Sequence, residues 1–140
     1  MNMVGKNSSK YRGLAFVLLF GVVYLVIAVW FPNPPASNPR QFAWRVAAWV
    51  LCALGFALQI GLEHFRLGNA PRRTALRVAA AVALGALGVA ASANIHALSA
   101  KTGNHGSLAL ALVIWPVVFG LPALVVAWAA ASGLARIRRM

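Results

Sequence analysis

Acidic residues are almost missing from this sequence. Glu63 is the single carboxylate side chain among 140 residues, set against thirteen lysines and arginines. Acid–base catalysis of the glycosidase type needs two carboxylates, so it is excluded. A Ser/His/Asp triad lacks its acid, because the chain has no Asp and Glu63 belongs to a different end of the fold from His96. Cysteine is equally scarce. Cys52 stands alone inside an apolar run, which rules out an intramolecular disulfide and zinc sites of the CxxC type. A glycine-rich phosphate loop is also missing, since Gly85 and Gly88 lie within an apolar run rather than at a strand–helix turn. Charged residues make up only 10% of the chain, where soluble domains carry about 25%.

What fills the space is hydrocarbon. The apolar fraction is 61%, above the ~45–50% of soluble domains, and too few polar groups remain to cover a soluble fold. The formal charge of +12 would point to nucleic acid in a soluble protein. Here the basic residues flank long apolar runs and no polar basic domain exists, so no nucleic-acid partner is expected. Their place is at the membrane surface, against anionic headgroups.

Four apolar runs follow one another. Leu14 to Phe31 is eighteen residues without a charge, longer than the ~7–15-residue core of a signal peptide, so it reads as a retained first helix. Pro32 to Gln41 holds four prolines in ten residues and reads as a stiff, extended connector. The second run closes at Glu63-His64-Phe65-Arg66, and Gly68-Asn69-Ala70-Pro71 gives a stop. Arg72, Arg73 and Arg77 precede the third run. A polar turn, Lys101 to Gly106, leads to the fourth, which contains Pro116 and Pro122. Those prolines free the carbonyls of Leu112 and Val118 and predict a bend.

The expected fold is an all-α integral membrane protein, a single domain over 1–140. It is an up-down four-helix transmembrane bundle with spans at 14–31, 45–62, 78–100 and 108–133. Four crossings place both termini on one side. That side collects ten of the thirteen basic residues, leaving Arg40, Arg45 and Lys101 on the other, so both termini are expected in the cytoplasm. Trp30, Phe31, Phe42, Trp44 and Trp115 would form the outer aromatic belt, and Tyr11, Phe65 and Trp128 the inner one. The Ala- and Arg-rich usage suggests a bacterial inner membrane.

The third run is the predicted centre. At 100° per residue Ala81, Gly85, Gly88, Ser92, His96 and Ser99 share one face, while Asn94 lies almost opposite with Ala83, Leu87, Ala90 and Leu98. Small residues permit close helix approach in lipid, and polar groups on two faces predict neighbours on both sides. Ser92, Asn94 and His96 are expected to bond between helices, with a ligand site as the sharper alternative. On the second run Cys52, Gly55, Gln59, Glu63 and Arg66 follow at steps of three or four. A Glu63–Arg66 ion pair is the structural expectation. A proton or cation site with Gln59 and His64 is the functional one. Haem between two histidines is not expected, because His64 and His96 lie at opposite ends of antiparallel helices and nothing in the His96–His105 spacing asks for it. No cofactor and no metal is predicted.

These features suggest a membrane protein without enzymatic activity that acts by helix-mediated assembly, as a homo-oligomer or with a partner membrane protein. The alternatives are a small oligomeric channel or transporter lined by the third and kinked fourth helices, and a haem- or quinone-binding subunit of a redox complex.

Overall fold

The computed structural model describes residues 3–30, 39–99 and 105–137, and all but the turn at 67–70 are helical. Helix α1 runs Met3–Trp30, α2 Pro39–Gly61, α3 Pro71–Ser99 and α4 His105–Ile137; a π-helical turn, Leu62–Arg66, continues α2. Three helices carry segments long and apolar enough to cross a membrane: Phe42–Arg66, Pro71–Ser99 and Gly106–Ile137. The fourth apolar segment, Gly13–Val29 of α1, is shorter.

Every helix overruns the apolar run that predicted it. Apolarity marks where lipid would be, but a helix continues through any residues that tolerate helical backbone. So α3 starts at Pro71 rather than residue 78, and Arg72, Arg73 and Arg77 are helical instead of belonging to a loop. Proline is at home in a first helical turn, where its missing N–H has no partner to lose. The same logic corrects the proline-rich connector: Pro39, Arg40 and Gln41 open α2. His105 and Gly106 likewise open α4. Phe31, residues 32–38, Ala100 and residues 101–104 lie outside the described residues. Helix α4 runs without interruption through Pro116 and Pro122.

Neighbouring helices run in alternating directions. Gly13 and Gly21 of α1 meet Arg77 and Leu84 of α3 in the same order, so α1 and α3 are parallel. Asn94 reaches Leu108 and Val78 packs with Ala127, so α4 is antiparallel to α3. Tyr24 contacts Gly55 and Gln59 of α2.

Helix α3 is the centre, packed along α1 on one side and α4 on the other. The α1 side carries the small face. A Cβ on Gly85 would stand 2.7 Å from Tyr24 Cβ and 3.3 Å from the Gly21 carbonyl, a separation only glycine allows. On the α4 side Ala83 lies against Gly120. Two apolar cores result. Val17, Phe20, Tyr24 and Ala81 form one; Ile60, Ala75, Val78 and Ala127 form the other. Both faces of α3 are covered within one chain at Ala81, Gly85 and Ala90, while Leu87, His96, Leu98 and Ser99 of the same faces stay exposed.

Helix α2 is attached differently. Its buried residues, Gln59 and Ile60, fall in its last turn. Phe42, Trp49, Leu54 and Leu58 face outward.

Candidate functional site

The chain's lone acid sits where three helices meet. The π-turn widens the end of α2 and buries both Glu63 and His64. Gly68 then adopts φ 56°, the left-handed geometry that closes a helix and that glycine adopts without strain. The reversal returns Asn69 to the helix it has just left. Its backbone N–H donates to the Glu63 carbonyl at 3.4 Å, and its side-chain Nδ2 donates to Glu63 Oε2. Pro71 opens α3 at once, with the Ala70 carbonyl accepting from Arg73 and Thr74. Arg77, two turns further, then reaches the same carboxylate oxygen, Nη1 to Oε2, at 3.0 Å.

This overturns the expected Glu63–Arg66 pair. Arg66 is exposed, while Arg77 is helical and faces inward. Glu63 is 1% exposed and Arg77 25%, so the pair lies well beneath the surface. Gly13 completes it: the guanidinium occupies the space that a Cβ at this position would need. Arg77 thus lies between α1 backbone and the acid at the end of α2.

One turn up the same face, Gln59 is fully buried. Tyr24 of α1 donates its O–H to Gln59 Oε1 at 3.4 Å, a long and weak bond. Cys52 packs beside the Tyr24 core and Gly55 lies under the Tyr24 ring, so Cys52, Gly55, Gln59 and Glu63 share a face toward the bundle interior, whereas Arg66, which the spacing placed with them, is exposed. Thr74, on α3 one turn before Arg77, is also fully buried.

Half of this polar chemistry is unspent. Glu63 Oε1, Gln59 Nε2, Thr74 Oγ1 and both His64 ring nitrogens are buried without a hydrogen-bond partner. Each such group costs about 1–3 kcal/mol relative to a satisfied one. The His64 ring meets the edge of Phe65, centroids 5.2 Å apart.

The polar residues toward the other end of α3 behave otherwise. Ser92 donates to the Val89 carbonyl at 2.8 Å and Ser99 to that of Ile95 at 2.9 Å. His96 Nδ1 bonds the Ser92 carbonyl at 2.9 Å from an exposed position. These are bonds to the residue's own helix, which corrects the expectation of interhelical bonding for Ser92 and His96. Asn94 does both, donating from Nδ2 to the Ala90 carbonyl of its own helix at 2.8 Å and across to that of Leu108 of α4 at 2.9 Å. The three residues do not converge. Among the described residues, no group of three or more His, Cys, Asp or Glu is placed to hold a metal.

Sequence reading singled out Gln59, Glu63 and His64 but missed Tyr24, Asn69, Thr74 and Arg77. The Gly68–Pro71 stop was the available signal, since a tight turn there brings the start of α3 back beside Glu63. No protein-family model, curated protein or solved structure matches the chain.

Proposed function

We propose that this chain is a four-span membrane protein, both termini cytoplasmic, with no enzymatic activity of its own, which works by assembling with a second copy or a partner membrane protein. The observation that carries the reading is the face of α2. An open groove of about 560 Å³ runs along Phe42, Arg45, Val46, Trp49, Val50 and Ala53, and among the described residues it is lined by α2 alone. Aromatic residues and Arg are the types enriched in the buried cores of protein–protein interfaces. The small-residue faces of α3 are consumed inside the chain, which moves the assembly surface from α3 to α2.

The lack of catalytic activity is supported by the chemistry of the acid, whose Oε2 is held by Arg77 and Asn69. Orientation rests on charge. Arg66, Arg72, Arg73 and Arg136 are exposed at the end of the bundle that holds Gly13, the π-turn and the C-terminal part of α4, and anionic headgroups would meet them there.

Size and mass of the full-length protein in mild detergent test the assembly. A discrete oligomer or a stoichiometric partner is expected, dispersed by Trp49→Ala with Val50→Ala. A monodisperse monomer with no partner would sink the proposal, as would an oligomer indifferent to that change. Topology is checked separately, by labelling Ser8→Cys in a Cys52→Ser background with an impermeant maleimide; labelling from the outside of intact cells would reverse the orientation.

A further inference from the structure

Glu63 uses only one of its two oxygens. Oε2 takes both the Arg77 and the Asn69 bonds, while Oε1 is buried and unpartnered. One turn along the same face stands Gln59 Nε2, buried with nothing to donate to, and on α3 stands Thr74 Oγ1, buried and equally idle. All three side chains are at least 99% buried by residue. Residues four apart on a helix are neighbours, and Thr74 lies on the helix that delivers Arg77 to the carboxylate.

The chemistry of these atoms selects the occupant. Glu63 Oε1 only accepts, the Gln59 amide nitrogen only donates, and the Thr74 hydroxyl does both. A metal cation finds no ligand in an N–H group and meets the Arg77 guanidinium. An anion meets Glu63. A neutral molecule that both donates and accepts serves every atom, and water is the smallest. Of the residues bonded to Glu63, Asn69 and Arg77 are only partly buried, and they lie at the end where the exposed arginines gather.

We propose that Gln59, Glu63 and Thr74 hold water admitted from the basic end, and that Glu63 Oε1 is a proton-binding site fed by that water. In the uptake step a hydronium ion gives its proton to Oε1. One O–H bond forms on the carboxyl and one breaks on hydronium, leaving a neutral acid and a water molecule. Oε2 stays with Asn69 and Arg77 throughout. Among the described residues, the charged or titratable groups around Glu63 are Arg77 from α3, His64 beside it in the chain and, through Gln59, Tyr24 from α1. From α1, Gly13 lies against the Arg77 guanidinium and brings no charge. This assigns the bundle a chemical task independent of assembly.

Because Glu63 is the one acidic side chain, its signal is the difference between parent and Glu63→Gln, which cancels the terminal carboxyl and the lipid ester carbonyls. Full-length protein in lipid vesicles, followed by infrared absorption as pH is lowered, should develop a carboxylic-acid C=O band. That band should reverse on raising the pH, shift when the buffer is exchanged for D2O, and be lost in Glu63→Gln. No such band before the amide bands report unfolding would overturn the proposal, and so would a band that D2O leaves unshifted. In Gln59→Leu the band should move in frequency, because the water between the two side chains loses a partner. An unmoved band would remove Gln59 from the site and overturn the arrangement proposed. The wild-type measurement stands even if that variant does not fold, and it is indifferent to whether the protein is monomeric.

Discussion

At the Arg77 end of α3, α1 backbone, the π-turn and the Gly68 reversal all converge on one carboxylate. At the His96 end, all four polar side chains turn back onto the carbonyls of their own helix, and Asn94 also reaches Leu108. The two ends have comparable polarity in sequence and opposite roles in the fold. One end uses its polar groups to join separate helices; the other removes them from lipid at no cost to packing. A polar residue in an apolar run therefore says little until its nearest carbonyl is known. Serine and histidine reach the carbonyls three or four residues back, which satisfies them locally. A carboxylate has nothing to donate when ionised and must look outside its helix.

Substitutions along α3 measure how far this contrast goes, most simply by thermal unfolding in detergent followed by circular dichroism. Arg77→Ala should have the largest effect, because it leaves Glu63 buried without its cation; about 3–5 kcal/mol is the usual cost of breaking such a pair from one side. If it cost no more than a surface change, the two ends would not differ. Next comes Gly85→Val. Its first added carbon already intrudes on Tyr24 Cβ, and overpacking of this kind costs about 1–3 kcal/mol. Asn94→Ala removes a side-chain bond from that end of α3 to Leu108 of α4, worth about 0.6 kcal/mol and at most about 1.7 kcal/mol. His96→Ala should fall within about 0.5 kcal/mol of the parent, as surface changes do. A loss at His96 larger than at Asn94 would show that the exposed ring meets a partner.

Much of the backbone plan was open to reading from sequence. The four helices, the central place of α3, its two opposed faces and the shared face of Cys52, Gly55, Gln59 and Glu63 follow from apolar length and a 3.6-residue period; that Arg66 leaves this face does not. The helix ends did not follow, because Pro71, Arg72 and Arg73 look like a loop when the eye follows hydropathy. That error hid the partner of Glu63. Arg66 is near in sequence, but the π-turn carries it outward, whereas Arg77 is fourteen residues away and is delivered by Gly68. Tyr24 was hidden for a different reason. In an apolar run its ring reads as core, which it is, and only the location of Gln59 reveals the use of its hydroxyl.

The attachment of α2 has a mechanical side. Its buried side chains lie in its final turn, beside the Glu63 clamp, and the opposite end presents Phe42 and Trp44 outward. A helix of 23 residues is about 35 Å long, and among the described residues its deepest burial is at its foot. A tilt of about 10° at the clamp would carry the far end through about 6 Å by that length. A tilt of α2 set by bilayer thickness or lateral pressure would thus displace Phe42 most and Glu63 least, and the reverse also holds: loosening the carboxylate's grip on Arg77 would be amplified toward the Phe42 end of α2.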